Sequence, residues 1–220
     1  MSKDKTRRGC KDIWNAYMAD GAIFGKHDIP LCPTTATKSP DSIITWEEAK
    51  RIYKQLSIKN KNFYYDAFVC FYLDDYKFDG PRGIWHDSEQ AVKVLCHFAG
   101  TITPDFSTYA DMNYWRQLES VAHSRWVGAY WQSRGLIVIP TVTWSTPLSY
   151  SFCFDGIERG AIVAIGLPGC KREKTAYLRG YAHLLERIDP SAVLCLGKPF
   201  KEMDGNIIVA DYYYKGKAVC

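Results

Sequence analysis

The chain has 220 residues, 47% of them hydrophobic and 15% aromatic, with a formal charge of +4. That length suits one substantial core and is short for two, and the apolar content excludes a disordered chain. The charge is small but uneven, because residues 1–62 carry 12 Lys/Arg against 7 Asp/Glu. A basic N-terminal region could touch nucleic acid; with no run of five or more like charges, solvated surface lysines are the better account. We read residues 1–220 as a single α/β domain, with 1–62 a basic helical and loop region packed on it.

Met1 to Gly9 is charged and lacks the apolar core of a signal peptide, and no apolar stretch approaches the ~20 residues of a membrane span. A cytoplasmic protein is expected. The 8 cysteines are scattered, several lie inside apolar runs (Cys70, Cys96, Cys195), and no CxxC occurs. Buried reduced thiols acting as small hydrophobes fit this better than a disulfide framework or a zinc site.

In chain order, Lys11 to Ala19 places Ile13, Trp14, Tyr17 and Met18 on one side, and a short docking helix is expected before Gly21. His27-Asp28-Ile29-Pro30-Leu31-Cys32-Pro33 reads as an ordered loop. Thr45-Trp46-Glu47-Glu48 is a capping box opening a helix that turns Trp46, Ala49, Ile52, Tyr53 and Leu56 inward. The run Ala67 to Leu73 is the first strong strand and ends in Asp74-Asp75; a loop with Gly80-Pro81 follows, and Asp87-Ser88 starts a helix.

After Gly100 comes a short strand ending at Thr103-Pro104-Asp105. A long helix then carries Met112, Trp115, Leu118, Ala122, Trp126 and Tyr130 at spacings of three and four, closed by Gly135. Leu136 to Ile139 and Ala161 to Ile165 are continuous apolar runs, the mark of strands buried on both faces. A second helix, with Tyr177, Leu178, Tyr181, Leu184, Leu185 and Ile188, stops at Asp189-Pro190 before Leu194-Cys195-Leu196-Gly197. Asn206 to Ala210, followed by three tyrosines, reads as a last edge strand that could run antiparallel. Repeated strand–helix–strand units predict a mostly parallel α/β sheet of about six strands, either an incomplete TIM-like barrel or an open doubly wound sheet.

In such folds the loops after the strand C-termini converge on one rim. That rim should collect Asp74, Asp75, Asp105, Trp144, the Gly166 to Cys170 turn and Gly197-Lys198. Asp74, Asp75 and Asp105 are the candidate catalytic acids and bases, and Asp75 and Asp105 could hold Mg²⁺, although each alone could be a cap or turn former. Gly166, Gly169 and Lys198 could cradle a phosphate where a strand enters a helix. The stretch fits neither a P-loop nor GxGxxG, and glycines with only geometric duty account for it better. The histidines include no HExxH and no pair at metal spacing; His86 and His27, both in loops, are the two to test. Trp85, Trp144, Tyr150 and Tyr212-Tyr213-Tyr214 could stack bases, although packing is the commoner role of such rings.

Six stretches together resemble a family of bacteria, phages and mobile elements described as domain of unknown function 4417. They are Asp28-Ile-Pro-Leu-Cys-Pro-Thr-Thr-Ala-Thr, Tyr72-Leu-Asp-Asp-Tyr-Lys-Phe-Asp-Gly, Thr103-Pro-Asp-Phe-Ser-Thr-Tyr, Arg125-Trp-Val-Gly-Ala-Tyr-Trp-Gln, Ile139-Pro-Thr-Val-Thr-Trp and Phe152-Cys-Phe-Asp-Gly-Ile. The resemblance implies a prophage or mobile-element setting in a bacterial cytoplasm and supplies no activity. Three functions compete. The first is binding of a nucleotide or other phosphorylated ligand at the rim, with Trp144 and His86 also contributing, and metal-assisted hydrolysis or transfer. The second is non-catalytic inhibition of a host defence system, by binding a host protein, nucleic acid or signalling nucleotide. The third is nucleic-acid binding through the basic N-terminal region, which predicts steep salt dependence.

Overall fold

The computed structural model describes residue 12 and residues 14–167, 170–210, 212–214 and 217–219. The strands are β1 (Ile43–Thr45), β2 (Tyr65–Cys70), β3 (Phe98–Ile102), β4 (Val138–Ile139), β5 (Ile162–Gly166), β6 (Ala192–Leu196), β7 (Ile207–Ala210), β8 (Tyr212–Tyr214) and β9 (Lys217–Val219). The α-helices are α1 (Trp46–Leu56), α2 (Ser88–Leu95), α3 (Tyr114–Ser133) and α4 (Lys174–Ile188). The fold is α/β with parallel sheets, as the repeated units predict. No helix among the described residues is long and apolar enough to cross a membrane.

Strands β1 to β4 pair in order and in parallel, and so do β5, β6 and β7. A parallel bridge between Thr141 and Ala164 links the end of β4 to β5. The segments β7 and β8 are one residue apart; the first pairs with β6 and the second runs parallel to β1. The strands thus form two sheets, ordered β4-β3-β2-β1-β8-β9 and β5-β6-β7. One core cluster draws Ile43, Phe68, Cys70, Ile102, Ile139, Ala164, Leu194 and Ala210 from β1 to β7, and none of its buried members lies on a helix. An open doubly wound sheet would cover both faces with helices, whereas here the strands cover one face with each other.

The alternate residues face the helices. Ile44, Val69, Phe98 and Val138 pack with Trp46, Leu95 and Trp131, while Val163, Ile165, Val193 and Cys195 pack with Tyr181 and Leu184. Burial on both faces explains the uninterrupted apolar runs. Thr45 caps α1 by accepting the Glu48 backbone N–H at 3.3 Å, and Asp189 closes α4 in a left-handed conformation with φ 48°.

Three expectations are corrected, and one strand went unread. The strand at 207–210 is parallel to β6; the antiparallel partner lies further on, where β9 pairs with β8. The short strand β1 carries no sequence signal, because three residues are too few for a period. The expected helix at Lys11–Ala19 is a single 3₁₀ turn at Ala16–Ala19, with residues 11 and 13 outside the described set. Cys96 is exposed, whereas Cys32, Cys70, Cys153 and Cys195 are buried free thiols.

The inward face of α3 keeps Tyr130, with Leu118, Ala122 and Trp126 partly buried against the cores, and adds residues the expected face did not include. Its buried residues are Gln117, Val121, Ser124, Arg125, Val127, Gly128, Tyr130 and Trp131, and Trp115 is 59% exposed. Arg125, only 1% exposed, donates from Nε to Asp155 O (3.1 Å), from Nη1 to Thr141 O (2.7 Å) and from Nη2 to Cys153 O (3.2 Å). Next to it, Cys32 N donates to Gly156 O at 2.7 Å, and Gly128 leaves room for the Cys32 thiol.

Replacing Arg125 with Met should remove about 3 kcal/mol or more of stability in urea unfolding, because three carbonyls lose a charged donor together. A Cβ at Gly128 would meet Cys32 Sγ at 2.5 Å and Thr103 Cγ2 at 2.6 Å. Gly128→Ala should therefore cost about 1–3 kcal/mol in the same assay, the usual range for an overpacked interior.

Candidate functional site

A cavity of about 320 Å³ opens at the C-terminal ends of the parallel strands. Tyr72, Leu73 and Asp74 enter it from beyond β2, Asp105 and Ser107 to Tyr109 from beyond β3, Val142 to Trp144 from beyond β4, Gly166 from the end of β5, Cys170 from just before α4 and Tyr177 from its first turn. Parallel pairing places these loops together, since every strand delivers its C-terminus to the same side.

Asp105 is the chemical centre. Its carboxylate accepts a hydrogen bond from Thr143 Oγ1. Burial raises its pKa to about 6, against the opposing pull of that hydrogen bond, and the nearby Asp75 charge raises it further. Around it, the Trp144 and Tyr177 rings lie 4.7 Å apart, and Trp144 Nε1 donates to Tyr177 O at 3.2 Å. Tyr72 is buried with its hydroxyl paired to Thr141 Oγ1, and its ring lies where a side chain on Gly166 would sit: a Cβ there would be 2.6 Å from Tyr72 Cδ1. The Cys170 thiol is pushed up to about 11, mainly by burial and secondly by Asp105, so it is protonated at neutral pH.

Asp75 faces away from the cavity lining. Its carboxylate accepts Ser107 N at 3.2 Å and Ser107 Oγ at 2.9 Å, and burial raises its pKa against those two donors. Asp75 thus fastens the loop that presents Asp105 and Tyr109. Asp74 lines the cavity, is 68% exposed along its side chain, and pairs with Lys77 at 3.5 Å.

Of the residues expected at the rim, Asp74, Asp105, Trp144 and Gly166 meet around this cavity, with Asp75 just behind. Lys198 is exposed and outside the lining, as is His86; Gly169 lies outside the described residues. His27 is elsewhere, with Nδ1 2.7 Å from Asp155 Oδ2 beside the Arg125 carbonyl partners. Gly166 has a packing duty against Tyr72. Among the described residues no three His, Cys, Asp or Glu side chains gather closely enough to hold a metal ion. Cys170, the end of the turn expected at the rim, also lines the cavity, whereas Thr143, Ser107, Tyr109 and Tyr177 were not singled out in the sequence as site residues. Thr143 was recoverable from alternation with Thr141 beyond β4, whereas Tyr177 reads as an ordinary core position of its helix.

The family model described as domain of unknown function DUF4417 matches residues 22–213. The chain belongs to that family. It is 40% identical over 198 residues to the Gene 1 protein of Mycobacterium phage D29, covering 88% of this chain and 68% of that protein. The Gene 1 protein of Mycobacterium phage L5 is also 40% identical, over 197 residues, covering 88% of this chain and 80% of its own length. These relatives agree with the phage setting that the DUF4417 resemblance implies. No solved structure matches the chain. Of the six stretches that carry the resemblance, those beginning at Tyr72, Thr103 and Ile139 contribute to the cavity, and those at Asp28, Arg125 and Phe152 meet at the Arg125 guanidinium or just beside it.

The raised Asp105 pKa has a definite sign for stability. Unfolded, an aspartate titrates near 3.9. Folded, Asp105 holds its proton up to about 6, so its favourable contribution is complete below the unfolded value and is lost as pH rises through 6. Asp105→Asn, which keeps an acceptor for Thr143, should stabilise the protein by roughly 2–3 kcal/mol at pH 7.5, and the gain should vanish near pH 4 when thermal unfolding is followed at both values.

Proposed function

We propose that the rim cavity binds a small ligand with a planar polar ring, of nucleotide or related phosphorylated type, and that Asp105 is its acid–base group in a hydrolase or transferase reaction. The observation that carries this reading is a carboxyl with a pKa of about 6 inside an aromatic-walled cavity. A group titrating near neutrality can both give and take a proton, and flat rings bind flat ligands with little loss of freedom. Thr143, Ser107 and Thr108 supply hydroxyls that can donate or accept at the edge of such a ring.

Native mass spectrometry beside the denatured mass is the first test, because it detects a retained ligand directly. Once a substrate is identified from that ligand class, the rate should follow one ionisation near pH 6. Asp105→Asn should remove that ionisation and lower kcat by about a hundredfold or more, within the usual range for loss of a general acid–base group. A pH profile unchanged in Asp105→Asn would refute the assignment.

A second reading, a non-catalytic inhibitor that binds a host protein, draws on one observation. Tyr109, Trp115 and Leu148 are 61%, 59% and 70% exposed, and Tyr114 OH lies 3.4 Å from Ser151 Oγ, which brings the start of α3 against the turn carrying Leu148. On this reading, substituting Trp115 and Leu148 with Ser abolishes capture of a defined host protein and leaves the cavity ligand bound.

A further inference from the structure

Among the described residues, the cavity lining at the rim presents the carboxylates of Asp74 and Asp105 and no lysine or arginine. A second cavity, of about 400 Å³, lies on the other side of the loop that follows β2. Trp46 and Lys50 enter it from the first turns of α1, and Lys77, Asp79 and Arg82 enter it from the loop. Both segments follow strand C-termini, β1 and β2, so this cavity belongs to the same rim as the first.

We propose that this second cavity is an anion site for the phosphate or pyrophosphate group of a small ligand. Three cationic side chains from two separate segments line one concavity. Lys50 Nζ lies 5.4 Å from the centre of the Trp46 ring, and both residues line the cavity. Arg82 adds a planar fork suited to two phosphate oxygens, and the lysines add point charges. Two acids, Asp79 and Asp87, line it as well, against the three cations; Asp79 is partly committed by accepting the Trp85 backbone N–H at 3.2 Å. One ion pair joins a lining residue of each cavity. Asp74 lines the first, Lys77 lines the second, and their charged groups are 3.5 Å apart. A ligand with its ring beside Asp105 and its phosphates beyond Lys77 would span both. That connection rests on the rim reading, while the anion site stands on its own residues.

Calorimetric titration of the full chain with inorganic pyrophosphate, and separately with adenosine, tests the two parts independently. Pyrophosphate should bind the wild-type protein, and Lys50→Gln with Arg82→Gln should weaken it by about tenfold or more, since hydrogen bonds to a charged group are lost. Both residues are exposed, and circular dichroism of the double variant confirms its fold. Asp105→Asn should leave pyrophosphate affinity unchanged. The anion site is overturned if pyrophosphate fails to bind at millimolar concentration, or if the folded double variant binds it as the wild type does. It is also overturned if a single-stranded oligonucleotide binds through these residues while pyrophosphate does not. Loss of the adenosine arm alone counts against the rim reading and leaves the anion site standing.

Discussion

The buried guanidinium of Arg125 is the interaction on which the surrounding structure depends. Its three hydrogen bonds all end on main-chain carbonyls, those of Thr141, Cys153 and Asp155. Burial lowers its pKa, yet an arginine remains cationic in any protein interior, so the site must supply oxygen acceptors wherever the charge goes. Carbonyl dipoles do this without a second buried charge, and the desolvation of a carboxylate in direct contact is avoided. In return the cation ties the chain beyond β4 to the segment at 152–156, two stretches with no regular pairing to each other.

That tie reaches the candidate site through short covalent paths. Thr141, whose carbonyl meets Arg125, pairs its hydroxyl with Tyr72 at the edge of the cavity. Two residues on, Thr143 donates to Asp105, and the next residue is Trp144. One buried cation therefore sets the backbone from which three cavity groups are placed. Asp75 performs the matching task from the other side by holding Ser107, so the Asp105 loop is anchored at both its flanks. Asp105 pays for this enclosure with partial loss of hydration, and the resulting proton affinity near neutrality is the chemically distinctive feature of the cavity.

Among the described residues the lysines and the arginine of the two cavities all line the second, which Asp79 and Asp87 also line. The cavity over β2 to β5 is acidic and aromatic, the one over β1 and β2 carries lysines and an arginine, and the loop after β2 forms the wall between them. A sequence pattern such as Asp74-Asp75-Tyr76-Lys77 shows only that opposite charges are adjacent. The 3₁₀ turn at Asp75–Lys77 sends Asp74 to one cavity, Asp75 into the loop behind it and Lys77 to the other.

Local patterning alone determined that β5 and β6 would be buried on both faces, that Thr45 would cap α1, that α4 would end at Asp189, and that Asp74, Asp105 and Trp144 would share a rim. Those features depend on continuous apolar runs, on one cap residue, or on the rule that parallel strands end together. The division of the strands into two sheets, the parallel direction of β7 and the inward face of α3 were decided by tertiary structure. A three-residue strand such as β1 has no period to read, and a helix rich in apolar residues all round does not announce which side is buried. Arg125 is the clearest case. Nothing in its neighbours marks it as interior, because its acceptors are main-chain carbonyls, which every residue carries and only the fold can bring together.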